Sequence, residues 1–269
     1  MPTRRGVCDR GRDRVAERGR GAGMTVHFIG AGPGAVDLLT LRARDLIAAS
    51  PVCLYAGTYV PPEMLEICPP GARTVDTAHM TLTEIVDEMV AAHRQGLDVA
   101  RLASGDLSVF SALAEQMRRL DVAGVPYDLC PGVPAYAAAA AALGRELTVP
   151  TVAQTVTLTR ISALATPMPD GEGLAELRRS GGTLVLHLSV HRIDEVVAAV
   201  SDVYGPDCPA AVVAFASREH QVVLRGPLSS LPEQVRDAGI RMAAVVIVGP
   251  ALAAEHFPDS HLYSDRRRR

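Results

Sequence analysis

The stretch Val26-His27-Phe28-Ile29-Gly30-Ala31-Gly32-Pro33-Gly34 decides the fold, because an apolar run breaks into a glycine-proline turn and helical spacing follows at once. Val26 to Ile29 reads as the first strand. Leu38, Leu41 and Leu46 then give Asp37 to Ala49 the apolar face of a helix. A glycine-rich turn at that place lets backbone approach a ligand at the carboxyl edge of an open α/β sheet. Gly30, Gly32 and Ala35 also fit the G-x-G-x-x-A form of a dinucleotide loop. Two features weigh against a nicotinamide enzyme. Pro33 removes a backbone donor from the turn that would cradle a pyrophosphate. The next strand, Val52 to Tyr55, ends in Ala56-Gly57-Thr58, with no carboxylate for a ribose before Glu63. A cofactor turn and a bare strand-to-helix connection both stay open on this motif alone.

Working outward, β-branched runs alternate with amphipathic stretches, the pattern of a largely parallel α/β sheet. Thr81 to Gln95 keeps helical spacing, and Thr81 with Glu84 makes a capping box. Val99 to Ala103 reads as a strand ending at Ser104-Gly105-Asp106. A helix from about Phe110 to Leu120 and a strand from Pro126 to Leu129 follow, before Pro131-Gly132-Val133-Pro134 breaks the chain ahead of an alanine-rich helix. If the strands are parallel, three glycine-containing turns face one cleft. Asp106 there accepts hydrogen bonds either from ligand hydroxyls or from the amides of the next helix.

The pattern resets through Leu147 to Thr151, which divides an N-terminal α/β domain, residues 24–147, from a C-terminal α/β domain, residues 148–255. After the β-rich stretch Thr151 to Thr159, the second half gives strands at Thr183 to Leu188, Ala210 to Phe215, Gln221 to Arg225 and Ala243 to Val248, with one helix at Val190 to Ser201. Strands that follow one another without a helix imply a mixed sheet. Ser162 to Gly173 reads as a surface loop. Residues 1–23 read as a disordered arginine-rich extension, too acidic and too poor in serine for an organellar transit peptide, and residues 256–269 as a flexible tail.

Composition removes several classes of function. The chain has 269 residues, 48% of them hydrophobic, but no apolar run near the roughly 20 residues that span a bilayer. Without residues 1–23 and the terminal Arg266 to Arg269, 16 arginines face 27 acids, a net charge of about −11. That sign disfavours nucleic acid and obliges any anionic substrate to find local arginines. Cys8, Cys53, Cys68, Cys130 and Cys208 are dispersed and lack metal-ligand spacing, which suits a reducing cytoplasm. His187 and His191 are four apart but straddle a strand-helix junction and lack HExxH context, so no metal is expected. No GxSxG elbow supports serine hydrolysis.

The run Gly30 to Gly34 followed by Asp37-Leu38-Leu39-Thr40-Leu41-Arg42-Ala43 resembles the first signature of the tetrapyrrole (corrin and porphyrin) methylases. The stretch from Val99 through Gly105-Asp106 to Pro131-Gly132 resembles their second. Tyr55 to Thr58, Asp76 to Leu82, Leu143 to Pro150 and Gln154 through Thr159-Arg160 are similar to the branch that methylates precorrin-4 at C-11. The resemblance spans Met24 to Ala251.

The resemblance implies the tetrapyrrole methylase fold, two α/β domains with the active site in the cleft between them, and a homodimer. It implies S-adenosylmethionine as cofactor and precorrin-4, metal-free or cobalt-loaded, as substrate, with the C20 and C17 methylases as neighbouring alternatives. Carried over by position, the cofactor contacts are Pro33, Ser104, Gly105, Asp106, Val109, Ala135, Leu188 and Ala216. Asp76 and His79 are candidates for an assisting base. Arg145, Arg160 and Arg218 are candidates for the substrate's carboxylates. Leu107 stands where relatives often have proline, and Pro134 where many have a hydroxyl residue. Those departures motivate one different-class alternative, a non-catalytic tetrapyrrole carrier.

Overall fold

The computed structural model describes residues 24–161, 167–177 and 181–260. The expected extension 1–23, part of the loop at 162–173 and residues 261–269 of the expected tail lie outside the described residues.

Five short strands, β1 (Val26–Gly30), β2 (Val52–Tyr55), β3 (Arg73–Asp76), β4 (Val99–Ala103) and β5 (Tyr127–Cys130), form one sheet in the order β3-β2-β4-β1-β5, every neighbour parallel. Side chains on a strand alternate between faces. Phe28, Leu54 and Val99 therefore meet Val86, Met89 and Leu120, which come from α2 (Leu82–Arg94) and α3 (Leu113–Ala123). Ile29, Cys53 and Leu102 point the other way, onto Ala43 and Ile47 of α1 (Leu41–Ala49) and onto Met64. Burial on both faces explains the near-continuous apolar runs.

The second sheet holds β6 (Val156–Arg160), β7 (Thr183–His187), β8 (Pro209–Ala214), β9 (Val222–Pro227) and β10 (Ala244–Val248) in the order β6-β7-β10-β8-β9. Only β6 and β7 pair in parallel; the other pairs are antiparallel, so the sheet is mixed as expected. A single-turn helix, α5 (Leu174–Leu177), precedes β7. Leu184, Leu186, Val212 and Val246 pack on α6 (Ile193–Tyr204) and α7 (Leu231–Asp237). The opposite face, with Val185, Ala211, Val213 and Ile247, receives α4 (Ala135–Leu143). Six consecutive alanines, Ala137 to Ala142, let that helix lie close to the sheet, and each fully buried Val or Leu beneath it contributes about 1.5–3 kcal/mol.

The structure moves the start of two expected helices and adds a strand and a helix. The first helix begins at Leu41, not Asp37, because Val36–Leu38 makes a 3-10 turn and the Thr40 hydroxyl accepts the Ala43 amide at 3.1 Å as an N-cap. The helix expected from Phe110 begins at Leu113, since Phe110 and Ala112 adopt left-handed φ values of 53° and 52°. Strand β3 gives no apolar signal, being an edge strand exposed at Arg73, Thr74 and Asp76. Helix α7 is not among the expected elements; Pro232 sits in its first turn, where proline needs no donor.

Candidate active site

Because β4, β1 and β5 are adjacent and parallel, their carboxyl ends deliver the turns at Gly105, Gly30–Gly34 and Gly132 side by side. The turns are knitted backbone to backbone. The Gly32 amide donates to the Gly105 carbonyl at 3.0 Å, and the Gly105 amide returns the bond to the Gly32 carbonyl at 2.7 Å. At Gly132 an added Cβ would stand 2.4 Å from the carbonyl oxygens of both Gly30 and Gly105. Such an approach is open only to glycine. These contacts also settle the first turn against a dinucleotide loop: two of its backbone groups are spent on the neighbouring turn, and no helix opens directly from it.

Asp106 fastens the arrangement. One carboxylate oxygen accepts the Ser108 amide at 2.8 Å and the Ser108 hydroxyl, while the other accepts the Gly132 amide at 3.0 Å. Burial raises its pKa, but the bonds from Ser108, Gly132 and Leu107 outweigh it and hold the carboxyl below its ordinary value. It therefore stays ionised at neutral pH and joins the second and third turns.

The opposite wall comes from the second sheet. Leu188 follows β7, Phe215 and Ala216 follow β8, and Ala243 precedes β10. Leu188, Phe215 and Ala243 have φ near +50°, as do Phe110 and Ala112 across the cleft. Five of the seven non-glycine residues with positive φ among the described residues thus line one cavity. Backbone held in that region costs about 1–3 kcal/mol per residue and gathers at ligand sites.

Two residues clasp the walls together. Ser217 Oγ accepts the Ala35 amide at 3.0 Å, and the neighbouring Arg218 donates through Nη2 to the Tyr59 carbonyl. The Arg218 stem lies where a Cβ on Gly34 would stand, so the last glycine of the turn makes way for it. Burial lowers the Arg218 pKa, with Glu63 opposing, and its Nε is buried without a partner. Deeper in, His187 packs its ring 5.5 Å from Phe110 and 6.3 Å from Tyr136. Its Nε2 is also buried without a partner, and burial lowers its pKa, which keeps the ring neutral at pH 7.

The cavity between the walls has a volume of about 580 Å³, within the range of small-molecule sites. Pro33, Ser104, Gly105, Asp106, Val109, Ala135, Leu188 and Ala216 all line it, as does Arg218. The structure places the other named residues elsewhere. Asp76, the last residue of β3, accepts the amides of Gly57 and Ala78, each at 2.9 Å, and neither it nor His79 belongs to the lining. The two amide bonds lower its pKa. Arg145 donates to the Ala254 carbonyl and Arg160 to that of Ile161, both at 3.3 Å, and neither belongs to the lining. Sequence reasoning passed over Arg101, Phe110, His187 and Arg241 as site residues, yet all four line it. Arg101 alone left a legible mark, a charge inside the buried run Val99 to Leu102.

Comparison with known proteins agrees with this architecture. The model of the family described as Tetrapyrrole (Corrin/Porphyrin) Methylases matches residues 25–232. A precorrin-4 C(11)-methyltransferase from Rhodococcus erythropolis is 61% identical over 91% of this chain and 99% of its own length. The X-ray structure of a cobalt precorrin-4 methyltransferase of cobalamin biosynthesis superposes with a TM-score of 0.83 at 36% identity, covering 87% of this chain and 98% of that one. A uroporphyrin-III C-methyltransferase from Thermus thermophilus, complexed with S-adenosylhomocysteine, gives a TM-score of 0.73 at 27% identity over 85% of this chain and 99% of that one. With the fold, the knitted glycine turns and the match in agreement across both sheets, the chain belongs to the tetrapyrrole (corrin/porphyrin) methylase family.

Proposed function

We propose that the protein transfers a methyl group from S-adenosylmethionine to C-11 of precorrin-4 in the construction of the corrin ring. One observation carries the reading: 61% identity to an enzyme named for that reaction runs through both walls of the cavity and 91% of the chain. The residues present suit the cofactor. The wall is bare backbone at Gly105, small at Ala135 and Ala216, and leaves the His187 Nε2 without a partner. S-adenosylmethionine supplies a methyl group already activated on a sulfonium. The chain's part is to hold donor and acceptor in line, since displacement at carbon is governed by proximity and alignment.

In this reading Pro33 and Ser104 to Asp106 hold the cofactor from the first wall, with Val109 and Ala135, and Leu188 and Ala216 close on it from the second. Asp106 acts through the turns that it joins. His187, neutral and shielded, can accept a hydrogen bond or the proton that the substrate releases. Arg218 and Arg241 offer planar donor forks to the carboxylates of the ring. The proposal extends to a homodimer, checked by light scattering, and to the cytoplasm, in keeping with the free thiols of Cys53, Cys68, Cys130 and Cys208. Among the described residues no helix is long and apolar enough to cross a membrane.

Incubation with metal-free precorrin-4 and a cofactor carrying a labelled methyl tests the reading. Label at C-11 supports it, and label at C-17 or C-20 reassigns the position. Tight ring binding without transfer in a single turnover would make the protein a carrier. The 36% identical cobalt precorrin-4 methyltransferase makes a cobalt-loaded ring the second substrate to assay in parallel.

A further inference from the structure

Arg101 is a buried cation for which the described residues supply no anion. It lies inside β4, paired with Phe28 of β1 and Leu54 of β2, and its side chain reaches the cavity wall. Nε donates to Gln116 Oε1 at 3.1 Å, and Nη1 donates to Thr77 Oγ1 at 3.1 Å and to the Leu102 carbonyl at 3.5 Å. All three acceptors are neutral. Arg101 forms no ion pair among the described residues, and no hydrogen bond there engages Nη2. Cys53 lies close enough to interact, but burial pushes its thiol far above the ordinary range, so it carries no charge. Burial lowers the Arg101 pKa to about 10, which leaves the guanidinium protonated at neutral pH.

The neutral partners are themselves fixed. Gln116, 4% exposed, donates through Nε2 to the Ala112 carbonyl at 2.8 Å, which turns its oxygen toward Arg101. Thr77, 5% exposed, donates to the Tyr55 carbonyl at 3.0 Å and so offers its lone pairs to Nη1. Two buried polar side chains thus orient one end of the guanidinium and leave the other end free. Among the described residues Asp106 is the single carboxylate in the cavity lining, and its oxygens are taken by Ser108 and Gly132. Burying a charge without a partner is strongly unfavourable, and a carboxylate is the natural complement of a free guanidinium edge.

We infer that Arg101 is a ligand-binding residue whose Nη2 edge receives a carboxylate of the bound ligand, with Gln116 and Thr77 as its positioning residues. The inference rests on the proposed function, in which both cofactor and ring bring carboxylates into the cavity. A charge-assisted pair in such a place is worth about 10- to 100-fold in affinity.

The test uses the full chain and its Arg101→Met variant, with calorimetric binding of S-adenosylhomocysteine and of methylthioadenosine, which keeps the adenosyl thioether but lacks the amino-acid carboxylate. The KM for precorrin-4 is measured alongside. If the cofactor supplies the carboxylate, Arg101→Met loses about 10- to 100-fold for S-adenosylhomocysteine and nothing for methylthioadenosine. If the ring supplies it, both adenosyl ligands bind as in the wild type and KM rises by a similar factor with kcat little changed. Should the Met variant fail to fold, Arg101→Lys keeps charge and stem but loses the fork, and it is expected to weaken the same ligand about 3- to 10-fold. A folded variant with both affinities and KM within twofold of wild type would overturn the inference and leave Arg101 a packing residue. Failure of the wild type to bind S-adenosylhomocysteine would instead refute the proposed function.

Discussion

The two walls of the cavity solve the same problem in opposite ways. The first wall removes side chains: Gly30, Gly105 and Gly132 bring three turns within hydrogen-bonding and van der Waals reach of one another. The second keeps its side chains and bends the backbone, with Leu188, Phe215 and Ala243 held at φ near +50°. One wall depends on what is absent at Cβ, the other on tertiary contacts strong enough to hold an unfavourable dihedral. The first should therefore tolerate no added atom, while the second should gain from added conformational freedom.

The largest expected effect tests the first half of that contrast. Gly132→Ala places a methyl against two carbonyl oxygens at 2.4 Å, with backbone on both sides unable to yield. It is expected to destabilise by about 3 kcal/mol or more in urea denaturation and to abolish S-adenosylhomocysteine binding. A loss below about 1 kcal/mol would mean that the turns are not packed as described.

Next comes the clasp between the walls. Arg218→Met breaks the bond to the Tyr59 carbonyl and uncovers Gly34. Cofactor affinity is expected to fall about tenfold, about 1.4 kcal/mol, in calorimetry. Unchanged affinity would show that the clasp does not hold the cavity closed.

Asp106→Asn keeps the shape of the side chain but removes the charge that gathers the Ser108 and Gly132 amides, at a cost of about 1 kcal/mol near neutral pH. Because the folded carboxyl is held below its ordinary value, its contribution is complete above about pH 4. It is lost as pH falls through the lowered folded pKa. The stability gap between wild type and Asp106→Asn should accordingly narrow on acidification; a gap that does not change as pH falls below about 4 contradicts the role given to the charge.

The smallest effect probes the second wall. Ala243→Gly relieves a φ of 51° against the entropy of the freer unfolded glycine, so stability should change by less than about 1 kcal/mol, toward stabilisation. Marked destabilisation there would erase the distinction between the walls.

The same distinction explains what the sequence made legible. Glycine at a strand end is a visible letter, so the turns at Gly30, Gly105 and Gly132 and their shared edge are legible in the sequence, as are the buried strands of both sheets. A left-handed leucine or phenylalanine has no such letter. Leu188 and Ala216 were reached by resemblance, and Phe110 and Ala112 were read into a helix that in fact starts at Leu113. Arg101 and His187 escaped for a related reason, since their meaning lies in partners that they lack, and a missing partner is visible only in three dimensions. Arg145 and Arg160 show the converse: suitable chemistry near suitable segments, but with side chains directed to Ala254 and Ile161.

The central claim is that one ligand is held between these two unlike walls, and a crystal structure with S-adenosylhomocysteine bound tests it most directly. The account predicts the ligand in contact with Ser104 to Asp106 on one side and with Leu188 and Ala216 on the other. Density for the ligand outside the cavity, or against one wall alone, would contradict it.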